Sequence, residues 1–196
     1  MFDTDLPYGS IQQWFPERCE LVDLTRTGDL VRMLDRMIQE PDNNYVVDLQ
    51  APLLDPFFTI FHDISFDEGA AQSGSGVAVF FVLDRSVRSI EAAARTRARL
   101  KNSEFVIVKN EAIGTVLHEP KAAELYLAIA KDREISLPRL TQEARDYIER
   151  NGFSFAEFVA GRSEEAPVAI RFELWAFLET IYNQRRAGAG GVTLLT

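Results

Sequence analysis

Cysteine is almost missing from this sequence: 196 residues contain only Cys19. One thiol excludes an internal disulfide framework and fits a reducing cytoplasm. Cys19 reads as an inert, partly buried thiol. Histidine is nearly as scarce, and His62, His118 and Cys19 offer no metal-ligand spacing. No apolar run approaches the ~20 residues of a membrane helix. Acid from residue 3 onward does not read as a secretory signal or transit peptide. Positive charge is also in short supply. Lys and Arg number 21 against 30 Asp and Glu, a formal net charge of −9. That balance argues against a surface given over to gripping nucleic acid, although a local basic patch remains compatible with it. The last absence bears on chemistry. No G-x-x-x-x-G-K-[ST] occurs anywhere, so no phosphate-binding P-loop is present.

What is there is the composition of a globular domain: 46% apolar, 26% charged, with fourteen Phe. The length suits one well-buried core. Short apolar runs alternate with segments of helical period, which predicts an α/β fold with a mostly parallel sheet flanked by helices. One domain is expected over 1–186, with 145–186 as a helical C-terminal part and a mobile, Gly-rich tail over 187–196. Met1-Phe2-Asp3-Thr4-Asp5 reads as the tail of a buried strand running into two carboxylates, and strands are expected at Cys19–Leu24, Tyr45–Leu49, Val77–Leu83, Phe105–Val108 and Ile135–Leu137. Val77–Leu83 (V-A-V-F-F-V-L) is the clearest buried strand. A short helix could start at Ile11–Phe15. Longer helices are expected from Thr27 to about Glu40, from Pro56, from Ser86 to Leu100, from Pro120 to Lys131 with Ala123, Leu127 and Ala130 inward, and from Thr141 to about Asn151–Gly152. Phe153–Ala160 reads as a short helix. The last helix, opened by Pro167, carries a core stripe of Ile170, Leu174, Phe177, Leu178 and Ile181. Phe172, Trp175 and Tyr182 extend its apolar surface beyond that stripe, which suits either cover for the sheet or a subunit contact as well. Phe66–Gly76 reads as a flexible loop.

Arg85, Arg88, Arg95 and Arg99 fall within one third of the helix that follows Val77–Leu83. Val87, Ile90, Ala94 and Ala98 lie opposite. Such a face is either solvated or meets the phosphates of DNA or an acidic protein. Ser73-Gly74-Ser75-Gly76 precedes a strand and lacks Lys-Ser/Thr, so it reads as a connector.

The order of elements resembles the ParA/MinD-type ATPases, the deviant-Walker branch of the P-loop hydrolases. Phe2-Asp3-Thr4-Asp5-Leu6-Pro7-Tyr8-Gly9-Ser10, continuing to Trp14, resembles the family's D-x-D-p-q-x-s-x-x-x-W stretch. Asn44-Tyr45-Val46-Val47-Asp48-Leu49-Gln50-Ala51-Pro52 resembles its Walker B strand. Val77–Leu83 with Arg85–Ile90 resembles the strand and helix that follow. Phe105–Asn110 resembles the strand ending in a base-facing asparagine, and Ile135-Ser136-Leu137-Pro138 the late strand that leads into a proline beside the base. The resemblance covers roughly residues 1 to 145.

The resemblance implies a P-loop-hydrolase-like fold with its first strand missing. It implies ATP and Mg²⁺ as cofactors. Asp5 would orient the attacking water, Asp3 would support it near Mg²⁺, and Asp48 would hold the ion through water. Asn110 would hydrogen-bond the base and Pro138 line its pocket. Each has a plainer alternative: solvated acids, a strand-end cap, a turn residue, a turn-forming proline. The family's first strand and K-G-G-x-G-K-T loop are absent, so no residue here cradles a triphosphate, and a native start upstream of Met1 is the simpler expectation. Three functions compete. One is a partition- or positioning-type ATPase, cytoplasmic, with a homodimer and a DNA or protein partner as expected associations. One is a degenerate, non-hydrolysing scaffold. The third, an unrelated α/β enzyme, lacks a nucleophile–base constellation. The fold expectation is checked directly: Val77–Leu83 and Phe105–Val108 must be neighbouring parallel strands.

Overall fold

Two residues of strand, Phe2–Asp3 (β1), are the centre of the first sheet. In the computed structural model, β1 is flanked on both sides by equally short parallel strands, Glu20–Leu21 (β2) and Val47–Asp48 (β3), in the order β2–β1–β3. The structure describes residues 1–114, 120–130, 133–150, 152–162 and 166–187, without the side chains of 121 and 185–187. His118, Lys131, Asn151 and the tail from 188 therefore lie outside the described residues. The chain divides into two units, Met1–Val79 with Ala92–Glu104, and Phe80–Glu91 with Phe105–Thr196.

In the first unit, Thr27–Gln39 forms α1 and buries Leu30, Met33 and Leu34 at the expected helical spacing. Residues 11–15 form hydrogen-bonded turns, with Phe15 N–H donating to Ile11 O, and no helix. A 3₁₀ turn over Ala51–Leu53 leads into α2, Leu54–Asp63. Phe57, Phe58 and Phe61 of α2 are buried together, and the Phe66 ring lies tilted against that of Phe61, 5.0 Å between centroids. The expected flexible loop over Phe66–Gly76 is corrected here: Phe66–Gln72 is a helix, α3. Its glycine and serines suggested a linker, but burial of Phe66 and Ala70 fixes the segment. Asp67, in its first turn, is buried as well. Its carboxylate accepts the backbone N–H groups of Lys101 and Asn102, at 2.7 and 2.8 Å, and the Ser103 hydroxyl.

The second sheet runs β4–β5–β6, formed by Ala78–Leu83, Glu104–Asn110 and Glu134–Leu137. β4 and β5 are hydrogen-bonded neighbours, and β5 pairs in parallel with β6 from Ile107↔Glu134 to Asn110↔Leu137. The molecule is thus α/β, with two small parallel sheets flanked by helices. β5 is the fully buried strand, Phe105 to Val108 all inside. The sequence assigned that role to β4, which instead alternates. Phe81 and Leu83 are buried, whereas Phe80 and Val82 are 54% and 55% exposed. One face of β4 has no cover among the described residues, so apolar composition there overstated burial.

Helix α4, Val87–Ala98, buries Ile90, Ala93 and Thr96. Ala98, expected inward, is exposed. Pro120–Ile129 (α5) buries Ala122, Tyr126 and Ile129, one position from the expected stripe, and leaves Leu127 65% exposed. Thr141 caps α6, Gln142–Ile148, by accepting from Ala144 N–H, and Ser154 caps α7, Phe155–Val159, in the same way. The last helix, α8, spans Val168–Ala187 and packs on β6 and α6. Gln184 of α8 binds both backbone groups of Ser136, accepting its N–H at 2.6 Å and donating to its carbonyl at 2.9 Å. The side-chain amide thereby satisfies β6 as a further strand would. Leu174 is wholly buried at the centre of a cluster with Leu140, Ala144, Tyr147, Phe158 and Ala166. Trp175 lies 5.3 Å from Phe158, ring to ring, so its fluorescence reports on this cluster. Leu174→Ala should lower the stability of this unit by about 3 kcal/mol, read from denaturant unfolding followed at Trp175. A loss below about 1 kcal/mol would mean that α8 does not close this core.

Candidate functional site

The site is built from the carboxyl ends of β1 and β3. Parallel pairing sets Asp3 opposite Asp48, so two of the three acids expected to act together meet at adjacent strand ends. Asp5 follows two residues after Asp3. Ligands of open α/β sheets bind beyond the carboxyl ends of strands, and these acids stand there.

The three acids differ in what holds them. Asp3 is fully buried. Its Oδ1 accepts Asp5 N–H at 2.9 Å, and its Oδ2 accepts Ile11 N–H at 2.8 Å and Gln12 N–H at 3.0 Å. Burial pushes its carboxyl up, but the backbone N–H groups of Asp5, Gln12, Ile11 and Ser10 together outweigh burial and hold it below the usual aspartate value. Asp3 therefore stays charged and folds residues 5–12 around itself. Both of its oxygens are engaged by loop backbone, Oδ1 once and Oδ2 twice.

Asp48 is half-buried and accepts the Ser10 hydroxyl at 2.7 Å through Oδ2. Its carbonyl accepts the Thr4 hydroxyl at 2.8 Å, and the Thr4 oxygen in turn accepts Gln50 N–H at 3.3 Å. Asp5 is half-buried, and its carboxylate accepts from the Gln50 side-chain amide. Thr4, Ser10 and Gln50 thus tie the acids to one another across β1 and β3. Among the described residues, no group of three or more His, Cys, Asp or Glu is arranged to hold a metal ion. Mg²⁺ is commonly bound by one or two carboxylates together with substrate phosphates. Asp48, with one oxygen outside the Ser10 bond, fits that lesser requirement.

Gly9 is a site residue that the sequence showed only as part of a turn. Its φ is +72°, and a Cβ there would lie 2.9 Å from Asp3 Oδ2, 2.8 Å from Gln12 Cβ and 3.0 Å from Leu21 Cδ2. Only glycine adopts that backbone and clears the carboxylate. Ser10 and Gln50 carried no signal of their own, because a hydroxyl and an amide gain meaning only from the acids they meet. Cys19, buried just before β2, has its thiol pushed up by burial and by the Asp3 charge, which suits an unreactive thiol.

Asn110 and Pro138, expected beside a base, belong to the second unit. Asn110 pairs with Leu137 across β5 and β6, which sets Pro138 one residue beyond at the neighbouring strand end. Asn110 Oδ1 accepts Ala112 N–H at 3.0 Å, a turn-forming role. The four arginines have different surroundings. Arg99 and Arg95 pair with Asp55 at 2.7 and 3.6 Å, and the Arg99 hydrogen bond, followed by both charges, holds the Asp55 carboxyl below its usual value. Arg85 and Arg88 are exposed. A surface depression along α3, lined by Ile64, Ser65, Glu68 and Asn102 among others, includes none of the expected site residues. No protein-family model, no curated protein and no solved structure matches this chain.

Two predictions follow from Asp3. Gly9→Ala should destabilise the first unit by about 2 kcal/mol or more, from the left-handed φ and the lost clearance together, measured by denaturant unfolding. A neutral result would mean that the loop does not wrap the carboxylate. The pH dependence has a definite sign. Asp3 and Asp67 both bind protons less readily folded than unfolded, because backbone N–H groups oppose the effect of burial at each. Their contribution is complete above the ordinary aspartate value of about 3.9 and is lost as pH falls through the lowered folded values. Asp3→Asn should therefore cost about 3 kcal/mol near pH 7 and flatten the acid limb of the stability curve. An unchanged acid limb would contradict a charged, buried Asp3.

Proposed function

We propose that this chain is a ParA/MinD-like partitioning or positioning protein of ATPase ancestry, cytoplasmic, and unable to hydrolyse ATP with its own residues alone. The observation that carries the reading is the meeting of Asp3, Asp5 and Asp48 at the carboxyl ends of adjacent parallel strands. The resemblance assigned these three positions to one Mg²⁺ and water site although 42 residues separate Asp5 from Asp48 in sequence order. In this reading Asp48 holds Mg²⁺ through water, Asp5 orients the attacking water, and Asp3 positions the loop that carries Asp5. Mg²⁺ would supply charge neutralisation at the phosphates. Asn110 and Pro138 would face the base, and Arg85 and Arg88 offer the exposed part of a surface for DNA or an acidic protein. A homodimer belongs to the same reading.

One observation favours the scaffold alternative. Ser10 and Gln50 already satisfy Asp48 and Asp5 from within the chain, and Asp55 occupies Arg95 and Arg99. A protein relieved of catalysis would keep such internal partners.

Steady-state ATPase assays separate the two. The chain by itself should show no turnover. Joined in frame to a strand and K-G-G-x-G-K-T loop, it should bind Mg²⁺-ATP and turn it over, and Asp5→Ala should then lower kcat at least about tenfold, the size expected for a group that orients the nucleophile. A folded, joined protein that binds no nucleotide would leave the scaffold reading standing. Turnover by the chain alone, insensitive to Asp5 and Asp48, would remove both.

A further inference from the structure

The loop that wraps Asp3 carries four exposed large apolar side chains. Leu6, Tyr8, Trp14 and Phe15 are 43%, 88%, 37% and 43% exposed, all within ten residues. The loop itself is firmly held. Asp5, Ile11 and Gln12 donate backbone N–H groups to the one carboxylate, and Gly9 N–H donates to Asp5 O at 2.6 Å. Trp14 and Phe15 donate to Ile11 O at 3.0 and 3.1 Å. Leu6 follows Asp5 directly, so the four side chains spring from one compact set of turns. The acids are held by the loop's backbone and by Ser10, and none of these four side chains takes part in that. A loop fixed in advance loses little freedom on binding, and Tyr and Trp are favoured anchors of protein interfaces.

We propose that loop 5–17 is a docking site for a basic amphipathic segment of another protein. Charge selects the occupant. The first unit carries 15 Asp and Glu against 8 Lys and Arg, most of the chain's excess of acid. Within residues 1–79 the count is 14 against 4, and Arg26, Arg32 and Arg36 are each paired with an acid of the same stretch. Asp5 and Glu17 lie on the loop, and Asp48 is bonded to it through the Ser10 hydroxyl. An apolar patch bordered by acid is complementary to apolar side chains flanked by Lys or Arg. A nucleic acid would bring its phosphates against that acid, and an anionic lipid surface would be repelled in the same way. The surface belongs to the first unit alone and is opposite in sign to the face of Arg85 and Arg88. It does not depend on the nucleotide reading.

The test is fluorescence anisotropy with a labelled amphipathic peptide of Leu and Arg, about 15 residues long, titrated with the whole chain to about 200 µM. Two control peptides carry Glu for Arg and Ser for Leu. The Leu–Arg peptide should bind with a dissociation constant in the micromolar range, and both controls at least about tenfold more weakly. Tyr8→Ser combined with Phe15→Ser should weaken binding at least about tenfold, with an unchanged far-UV circular dichroism spectrum and unfolding midpoint. Should the double exchange disturb the fold, Tyr8→Ser alone, at the most exposed of the four positions, decides with a loss of at least about threefold. No binding of the Leu–Arg peptide would overturn the proposal. Equal binding of the Ser–Arg peptide would overturn it too, since charge alone would then suffice, as would binding that these exchanges leave untouched. In flotation with phosphatidylcholine–phosphatidylglycerol vesicles the chain should stay unbound. Comigration that Tyr8→Ser with Phe15→Ser abolishes would replace the protein partner by a membrane surface.

Discussion

The first unit depends on one buried negative charge. An ionised carboxylate out of water is tolerated only when hydrogen-bond donors replace the solvent. Asp3 finds three backbone N–H groups within 3.0 Å, all from the loop that follows its own strand. The consequences spread outward. A loop folded back on a carboxylate needs a residue without a side chain where it passes closest, and Gly9 is there. The same fold brings Ser10 onto Asp48 and leaves Asp5 within reach of Gln50. β1 can then be two residues long, because its position is fixed by the carboxylate as much as by its pairing with β2 and β3.

Asp67 repeats the device. It too is buried, lies at the start of an element, and collects two backbone N–H groups and a hydroxyl from a distant segment, residues 101–103. Burial raises both carboxyls and the N–H donors more than offset it. A buried aspartate in this protein is therefore a fastener for loop backbone. That role accounts for the order of the acids at the site: the most buried one shapes the loop, and the two half-buried ones, Asp5 and Asp48, each meet a single side-chain donor, Gln50 and Ser10.

Much of this was legible in the sequence, and the misses in its elements share a cause. Helices α1, α6 and α8 follow from periodicity and caps, and Thr27, Thr141 and Val168 lie where those signals put their starts. Asp48 and Asn110 end their strands as expected. Phe66–Gln72 was misread because Gly69 and the serines beyond it resemble a linker, whereas the helix is held by burial of Phe66, Asp67 and Ala70, a tertiary effect. β4 was misread in the opposite direction. Seven apolar residues in a row look buried on both faces, yet Phe80 and Val82 are exposed, because composition reports what a face could bury and not what covers it. On α5 the apolar residues are dense enough to support two stripes, and packing selected Ala122, Tyr126 and Ile129 over the neighbouring set. The partners Ser10 and Gln50 were invisible for a different reason, since their meaning lies in a pairing across 38 and 45 residues.

The same pairings bound what the site can do. A carboxylate that already accepts a hydroxyl keeps a free oxygen and its charge, so the Ser10–Asp48 bond is compatible with a water-bridged cation and orients the carboxylate for one. The Gln50–Asp5 contact acts otherwise. An amide donor on Asp5 lies where a water to be oriented would donate. If Asp5 is to work on a water, Gln50 must swing away or share the carboxylate. If Gln50 is a permanent partner, Asp5 is a strut like Asp3. Gln50→Ala distinguishes these in the joined, P-loop-bearing protein. Turnover that is kept or raised identifies Gln50 as a displaceable partner, whereas turnover lost together with stability of the first unit identifies a strut. The side chain that decides between enzyme and scaffold is therefore an amide at the end of the neighbouring strand, which no acid-based motif would have singled out.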